Sequence, residues 1–328
     1  MPKGEGNGNM RKAYFSTVLV VAAFFTMPAK AAFPERNITI LCGFAAGGTC
    51  DLVARLIARI AAVEFKQSVI VENRTGATGV VAATAVARSQ PDGHTVLLCA
   101  QGPNVMLPEL PGAKIPIDMK KEIVPVANMA LANFIMVVPA SKPWKSVSEF
   151  VAAAKTENMT FGSAGIGTLQ HLAGEVLNFE AGLKLTHVPY RGATPAATDV
   201  IAGRIDTLIT NLGDVSALIA GGQLRPLAFT DTIGSPILPD VPRMSQFYPN
   251  FVLGGWFGIC GPAGMPAEAI ERWHAALKRT AEDPEVKEVF ERNGLMIKVE
   301  NAADFQARFA SDRRVLGDFI QKTKLQVE

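Results

Sequence analysis

Residues 37–65 read NITILCGFAAGGTCDLVARLIARIAAVEF, and this stretch decides the fold. Residues 37–43 form an apolar run of strand length, and residues 51–65 carry apolar side chains at the spacing of one helix face. A turn of small residues joins the two. A strand, a glycine-rich turn and a helix form the repeating unit of a parallel sheet with crossover helices. The stretch therefore predicts an α/β protein.

The same unit recurs outward along the chain. Further apolar runs of strand length occupy residues 68–72, 94–100, 134–139, 159–163, 186–190, 206–211 and 224–230. Helical patterns lie between them at residues 79–88, 146–156, 169–179, 195–202 and 216–220. Residues 103–125 contain several prolines and predict an irregular connection. Helices without a sheet of their own are predicted near residues 267–281, 284–293 and 303–322.

This pattern predicts two lobes, each with a doubly wound sheet. We place the first lobe at residues 33–138 plus 253–328 and the second at residues 139–252. The first lobe is discontinuous because the C-terminal helices need a sheet to pack against, so the chain crosses between the lobes twice. A cleft between two such lobes is a ligand site that can close by hinge motion.

The N-terminal segment predicts export. The basic pair Arg11-Lys12 precedes an uncharged apolar run and the small-x-small triplet Ala29-Lys30-Ala31. These are the parts of a secretory signal, so we assign residues 1–32 as a cleaved signal peptide and expect a periplasmic protein. The residues before Met10 do not resemble such a signal, and we expect translation to start at Met10. A membrane anchor is the alternative, but the apolar run is shorter than the about 20 residues that a spanning helix needs.

The composition describes a globular protein with no electrostatic preference for a polyanion. Hydrophobic residues make up 48% and charged residues 19% of the chain, which is not the composition of a disordered protein. The formal net charge of +2 falls close to zero without the predicted signal peptide, which carries four basic residues and one acidic residue. A near-neutral protein offers no attraction to nucleic acid or to an anionic membrane. We therefore expect no nucleic-acid partner.

The four cysteines, Cys42, Cys50, Cys99 and Cys260, lack the spacing of a zinc site. Cys42 and Cys99 lie in apolar strand-like runs, where a free thiol behaves as a small hydrophobe, so we expect free core cysteines. Because an oxidising compartment permits disulfides, one bridge stays open as an alternative, Cys42 with Cys99 or Cys42 with Cys50. Neither a metal nor a cofactor is predicted.

The turns between strands and helices are where open α/β sheets bind ligands. The first, GFAAGGTCD at residues 43–51, combines small residues with a helix N-terminus whose free amides attract anions. It lacks the lysine of a P-loop and the spacing of a dinucleotide fingerprint. The alternative is a tight turn in which Asp51 only caps the helix.

A second turn of this kind, FGSAGIGT at residues 161–168, precedes a helix that carries His171. The hydroxyls of Ser163 and Thr168 and the glycine amides predict a second anion cradle. A Ser163–His171 nucleophile and base is the catalytic alternative. We do not favour it, because the segment is not G-x-S-x-G and no acid is placed to orient the histidine. His171 can equally form a structural hydrogen bond at the helix start.

Later turns supply further candidates. Arg191 follows a strand and either pairs with a carboxylate or faces solvent. Asn211 follows another apolar strand, where its amide can orient a ligand. Trp256 lies in an apolar stretch between the lobes, and we favour core packing over a place in the cleft.

At these turns the sequence resembles the Bug family, the TctC-type extracytoplasmic solute receptors of tripartite tricarboxylate transporters. The resemblance covers essentially the whole chain after the predicted signal peptide. Each matching segment is weak alone, and their joint order and spacing are specific. The segments are AGG at 46–48 with Asp51, VENR at 71–74, PDG at 91–93, GSAGIGTLQHLAGE from Gly162, HVPYRGATPAATDVIAGRID from His187 and LPDVP from Leu238.

The resemblance implies a two-lobed flytrap related to type II periplasmic binding proteins, with ligands that carry one or two carboxylates. One departure from the family pattern is the apolar Leu107, which stands where a polar residue often precedes a proline and favours a more hydrophobic acid. Carried over to this chain, the family pattern implies ligand-binding residues in both lobes: Phe44, Ala46, Gly47, Thr49, Asp51, Gln101, Ser163, Ala164, Gly165, Thr168, His171, Arg191 and Asn211.

We therefore expect a monomeric, non-enzymatic receptor that closes two lobes around a small carboxylate and then docks on the permease of such a transporter. In this hypothesis the negative group of the ligand bridges two helix N-termini, one from each lobe. The alternatives are a carboxylate sensor that presents its ligand to a signalling partner, and an α/β hydrolase.

Overall fold

The structure, a computed structural model, describes residues 33–326. The predicted signal peptide and the proposed start at Met10 lie outside the described residues. Within residues 33–326, no helix combines the length and the apolar character that crossing a membrane requires.

Strands and helices alternate along most of the described chain. The strands are β1 (Ile38–Cys42), β2 (Val69–Asn73), β3 (Thr95–Ala100), β4 (Ile123–Ala132), β5 (Phe134–Pro139), β6 (Thr160–Ser163), β7 (Thr186–Pro189), β8 (Thr207–Asn211), β9 (Leu224–Phe229), β10 (Gly255–Pro262) and β11 (Leu295–Glu300). The helices are α1 (Thr49–Phe65), α2 (Val80–Ala87), α3 (Met119–Glu122), α4 (Val147–Ala154), α5 (Leu169–Ala181), α6 (Ala193–Ile201), α7 (Leu212–Ala220), α8 (Ala267–Glu282), α9 (Pro284–Arg292) and α10 (Ala302–Thr323).

The strands form two sheets, one in each lobe. The first has the order β11-β4-β10-β3-β1-β2, and the second has the order β7-β6-β8-β5-β9. β1 lies parallel to both β2 and β3, and β6 lies parallel to both β7 and β8. Because parallel strands end at the same edge, the turns after β1 and β3 meet at one edge of the first sheet, and those after β6 and β8 meet at one edge of the second. These turns carry most of the predicted site residues.

The chain crosses between the sheets twice. Asn133 alone separates β4 from β5, and residues 230–254 return the chain from β9 to β10. The predicted boundary between residues 138 and 139 therefore falls inside β5, which pairs with β8 and β9 in the second sheet. This corrects the first boundary to the start of β5. The sequence does not mark the crossing, because β4 and β5 form one nearly continuous apolar run without a turn signal.

Three strands of the first sheet, β4, β10 and β11, are not predicted as strands from the sequence. β4 begins inside the proline-rich stretch, and its Pro125 is accommodated at a register shift opposite Cys260. β11 follows α9 and pairs at the edge of the sheet with β4. The C-terminal helices therefore accompany a strand of the first sheet.

Helices cover both faces of each sheet. On the first sheet, α1, α8 and α9 pack on one face around Trp273, and α2 and α10 pack on the other around Phe305. On the second sheet, α6 and α7 cover the face opposite α4 and α5. The apolar core beneath α10 continues through Trp256 to Phe134 of the second sheet. The lobes are thus held together by shared apolar packing as well as by the two crossing segments.

The structure confirms the predicted free core cysteines at Cys42 and Cys50 and corrects the prediction at Cys99 and Cys260. A disulfide joins Cys99 of β3 to Cys260 of the neighbouring strand β10, with 5.8 Å between their Cα atoms. Cys42 and Cys50 are buried free thiols. Neither predicted bridge forms. A bridge from Cys42 to Cys99 is excluded because these side chains pack on opposite faces of the first sheet.

Candidate functional site

The turn after β1 and the turn after β6 face each other across the cleft between the lobes. Phe44 and Thr49 from the first and Ala164 and Thr168 from the second line one cavity, whose empty space together with its part open to solvent is about 520 Å³. Each turn leads into a helix, α1 and α5 respectively. Two helix N-termini are therefore brought to the same cavity.

The wall of this cavity, which we call the cleft cavity, is mostly apolar and carries few charges. Its lining contains no lysine, arginine or histidine among the residues that the structure describes, and Asp214 is its one carboxylate. The lining residues are Phe44, Ala45, Gly48, Thr49, Cys50, Ala100, Gln101, Gly102, Pro103, Phe134, Ala164, Thr168, Leu169, Gln170, Ala193, Asn211, Asp214, Gly255, Trp256 and Phe257.

The N-terminus of α1 is occupied by a carboxylate of the protein itself. Asp214, in the first turn of α7, accepts hydrogen bonds at Oδ1 from the main-chain nitrogen of Thr49 at 2.7 Å and from Thr49 Oγ1 at 2.8 Å. Its Oδ2 accepts from Asn211 Nδ2 at 3.1 Å and from the hydroxyl of Thr210. A carboxylate of the protein thus binds the N-terminus of α1, where the carboxylate of the ligand was expected to bind. This corrects the expected pattern of two free helix N-termini.

Asp51 lies behind the first turn and does not line the cleft cavity. Its carboxylate accepts hydrogen bonds from the Gly47 amide, Arg55 Nε and Asn73 Nδ2 at 2.9 to 3.1 Å. Burial alone would raise the pKa of Asp51, but these hydrogen bonds together outweigh burial and lower it. Asp51 therefore fixes the shape of the turn.

The second turn ends in a well-capped helix. The Thr168 hydroxyl accepts a hydrogen bond from the His171 amide at 3.3 Å and donates to the Gly165 carbonyl at 2.7 Å. Leu169 and Gln170, the first residues of α5, lie in the cavity wall. The main-chain amides of a first turn have no acceptor within their own helix. Of the two helix N-termini at this site, the start of α5 is therefore the one that suits an anion from the ligand.

Ser163 and His171 do not form the nucleophile and base of a catalytic site. Ser163 is fully buried, and its hydroxyl lies 2.6 Å from Nε2 of His187. The rings of His171 and His187 stack at 3.8 Å between centroids. Burial lowers the pKa of His171 to about 4. Burial also lowers the pKa of His187, to about 3, and the charge of His171 adds to that shift. Two neutral rings with such low pKa values are poor general bases and serve as packing groups.

A second, wider cavity adjoins the first, since both are lined by Phe44 and Ala164. It carries two basic residues, Lys114 and Arg191. The lobes touch beside it, where Thr78 Oγ1 donates to the Ile166 carbonyl at 2.6 Å. Arg191 is exposed there and lies outside the cleft cavity.

The predicted site residues therefore divide into groups. Phe44, Thr49, Gln101, Ala164, Thr168 and Asn211 lie in the wall of the cleft cavity, and Gly165 and Arg191 line the adjoining cavity. Ala46 and Gly47 are exposed outside both, and Asp51, Ser163 and His171 are buried behind the turns.

Asp214 was not predicted as a site residue, and for Trp256 core packing was favoured over a place in the cleft. Trp256 both packs against Phe305 and lines the cleft cavity, and its Nε1 donates to Asp312 at 2.7 Å. Asp214 sits three residues after Asn211 at a helix start, where an acidic residue usually serves its own helix. No local signal distinguishes that role from a contact to the other lobe.

Comparison with known proteins gives a consistent result. The family model of the tripartite tricarboxylate transporter family receptor, TctC, matches residues 53–325. The UPF0065 protein of the tcbD–tcbE intergenic region of Pseudomonas sp. (strain P51) is 33% identical over 80% of this chain and 79% of its own length. Protein BugT of Bordetella pertussis (strain Tohama I) is 28% identical over 84% of this chain and 86% of its own.

Solved structures show the same relationship. Rpa4515 of R. palustris, solved with adipate, superposes with a TM-score of 0.86 at 26% identity, covering 90% of this chain and 99% of its own. MatC of Rhodopseudomonas palustris, solved with bound malate, gives a TM-score of 0.83 at 26% identity, covering 88% and 100%. The predicted periplasmic-binding-protein fold is thereby confirmed. With a family model matched over most of its length, the chain belongs to the receptors of the tripartite tricarboxylate transporter family.

Proposed function

We propose that this chain is a periplasmic receptor that captures a small carboxylate by closing its two lobes and delivers it to a tripartite tricarboxylate-type permease. It acts as a monomer, without metal or cofactor. The observation that carries the proposal is the cleft cavity, one wall of which is the N-terminus of α5 with its cap Thr168. Its free amides and the helix dipole favour an anion. The adipate and malate named for two similar structures support carboxylate chemistry.

Closure follows from how the cavity is divided between the lobes. Gln101 and Trp256 come from the first lobe, and Thr168 and Asn211 come from the second. A ligand that touches both sides makes all its contacts only in the closed form, so it shifts the population toward that form. With about 1.5–3 kcal/mol for each hydrogen bond to a charged group, three such bonds suit micromolar binding.

The motion that we infer is a hinge at the two crossings. Asn133 and residues 230–254 are the segments that join the sheets. A short linker and a longer return segment can absorb a rotation without disturbing either sheet. We therefore assign lobe one to residues 33–132 and 255–326 and lobe two to residues 134–229.

No chemistry on the ligand is part of this proposal. The Ser163 hydroxyl is fully buried and held by His187, behind the turn rather than in the wall of the cleft cavity. A nucleophile must reach its substrate, and a base with a pKa of about 3 holds a proton poorly near neutral pH. We expect Ser163→Ala to retain ligand affinity.

The test uses protein purified from the periplasm without refolding. Native mass spectrometry first identifies any acid that copurifies, and calorimetry then measures a panel of mono- and dicarboxylic acids. We expect at least one acid to bind with a dissociation constant of roughly micromolar, about −8 kcal/mol. If no acid gives heat or a thermal shift, the carboxylate function is refuted. If the chain instead converts an acid to a product, and Ser163→Ala abolishes that turnover, the chain is an enzyme.

The partner is tested in cells. Deleting the gene should abolish uptake of the acid found by calorimetry, and the wild-type gene should restore it. Unchanged uptake combined with a lost transcriptional response would assign the chain to a sensor.

A further inference from the structure

Asp214 places a fixed negative charge in the wall of the cleft cavity. Thr49 donates to its Oδ1 from both the main chain and the hydroxyl, and Thr210 and Asn211 donate to its Oδ2. Four donors match the four lone-pair directions of an ionised carboxylate. The side chain is therefore held in place from both lobes.

This arrangement removes one of the two anion sites that facing helix N-termini would otherwise provide. A ligand carboxylate at the start of α1 would have to share the Thr49 amide with Asp214, so two like charges would lie within a few ångströms. Such a contact is strongly unfavourable in a largely apolar site. Repulsion of this kind discriminates between ligands as effectively as an attractive contact does.

The described lining offers no positive charge to offset a second carboxylate. Two basic residues, Lys114 and Arg191, line the adjoining cavity instead. An ionised group in an apolar cavity without a counter-charge carries a large desolvation cost. The N-terminus of α5 can bind one carboxylate of a ligand, but a second carboxylate has no comparable partner in the described wall of the cleft cavity.

The rest of the wall suits a ligand whose remaining part is apolar and carries no polar group other than a hydrogen-bond donor. Phe44, Phe134, Trp256 and Phe257 supply aromatic surface. Gln101 is 7% exposed, and within the described part of the chain its Oε1 has no hydrogen-bond partner. A buried acceptor favours a neutral donor beside it and repels a carboxylate oxygen.

We propose that Asp214 makes this receptor selective for apolar monocarboxylic acids over dicarboxylic acids of the same length. The inference rests on the proposed carboxylate function and names the ligand class of the same site. Asp214 acts through the negative charge that it presents to the cleft cavity.

The experiment compares acids that differ by one carboxylate. Calorimetry is run with hexanoate against adipate and with benzoate against terephthalate, on the unmodified chain and on three variants. Asp214→Asn removes the charge and keeps the shape, and Asp214→Glu keeps the charge. Asp240→Asn removes a charge from an exposed position in the segment between β9 and β10, outside the lining of the cavity, and controls for net charge. Circular dichroism and melting confirm that each variant folds.

We expect the unmodified chain to bind the monoacid of at least one pair roughly tenfold or more tightly than its matched diacid. Asp214→Asn should narrow that ratio, because it removes the charge that disfavours the diacid, while Asp214→Glu and Asp240→Asn should preserve it. If Asp214→Asn does not fold, the ratios of the unmodified chain and of Asp214→Glu decide.

Two results overturn the inference while leaving the carboxylate function intact. One is an unmodified chain that binds each diacid as tightly as its matched monoacid, and the other is an Asp214→Asn variant that changes the affinities of monoacid and diacid by the same factor. Absence of binding to these four acids and to the wider panel overturns the proposed function, and this inference with it.

Discussion

The main-chain nitrogen of Thr49 lies 2.7 Å from Oδ1 of Asp214, and the two residues belong to different lobes. Thr49 opens α1 at the carboxyl edge of the first sheet, and Asp214 lies in the first turn of α7 at the corresponding edge of the second. The contact joins a helix N-terminus to a carboxylate, a favourable electrostatic combination. The hinge motion that we propose would separate the two residues, so we expect the contact to favour the closed form.

Thr49→Val tests this contribution with a side chain of the same shape. The change removes the Oγ1 donor to Asp214, a hydrogen bond to a charged group worth about 1.5–3 kcal/mol. We expect a larger radius of gyration in small-angle scattering without ligand, and roughly tenfold weaker ligand binding.

The matched control is Thr198→Val, in which the lost hydroxyl bonds only to the Thr194 carbonyl of its own helix. The control should leave both readouts unchanged. Equal affinity and equal radius for Thr49→Val and the wild type would show that the contact does not stabilise the closed form.

Gly102→Ala tests the close approach of the lobes. A Cβ at Gly102 would lie 2.9 Å from the nitrogen of Leu169 and 3.0 Å from the Cα of Thr168, both backbone atoms of the other lobe. Backbone cannot rotate away as a side chain can, so full closure is blocked. We expect ligand affinity to fall at least roughly tenfold, while circular dichroism shows that both lobes stay folded.

Gly317→Ala is the control for the glycine change itself. Gly317 lies within α10, and a Cβ there meets no atom within 4 Å. Alanine in a helix interior is more stable than glycine by about 1 kcal/mol, so this variant should bind normally and melt slightly higher. Normal binding by Gly102→Ala would mean that the bound form is more open than this structure.

The turns that build the cavity were predictable because their signals are local. An apolar strand that ends in small residues before a helix carries its own information, and the turns at residues 43–51 and 161–168 meet at the cleft as expected. The same holds for the helix predicted at residues 146–156, which is α4 in the structure. Its N-cap is Ser146, whose hydroxyl accepts from the Glu149 amide at 3.2 Å. These features depend on residues a few positions apart.

Features that depend on two distant segments were not predictable. Asp214 meets Thr49 across 165 positions of sequence, and Cys99 meets Cys260 across 161. β11 was not predicted for a related reason. Its partner β4 begins in the proline-rich stretch, which does not carry the pattern of a strand. Such pairings follow from sheet order, which a single sequence does not specify.

The Cys99–Cys260 disulfide predicts a specific labelling pattern. When periplasmic protein is denatured without reductant and alkylated, only Cys42 and Cys50 should be labelled. Replacing both Cys99 and Cys260 with alanine should lower the free energy of unfolding by about 2–4 kcal/mol, because the unfolded chain loses a long closed loop. Alkylation of all four cysteines would contradict the bridge. Urea unfolding of Cys42→Ala measures the cost of losing a buried thiol that is not bridged.

The stacked pair His171 and His187 predicts how stability depends on pH. Burial, joined for His187 by the charge of its neighbour, lowers their pKa values to about 4 and about 3, whereas an unfolded chain protonates histidine near 6.5. As pH falls from 6.5 toward 4, the unfolded state therefore binds more protons than the folded state. The stability that these two neutral rings contribute is fully present above pH 6.5 and is lost as pH falls below that value. Each ring contributes on the order of 2 kcal/mol between pH 7 and pH 5.

Urea unfolding at pH 7 and pH 5 measures this loss, and His187→Gln should reduce it by about half. Burial raises the pKa of Glu175, whose carboxylate lies 3.9 Å from His171, so protonation of Glu175 in the folded state offsets part of this loss equally in the wild type and in His187→Gln. The control His274→Gln changes a half-buried histidine on α8, outside the stacked pair, and should keep most of the wild-type pH dependence. If His187→Gln and the wild type lose the same stability between the two pH values, the buried rings do not govern the acid sensitivity of the second lobe.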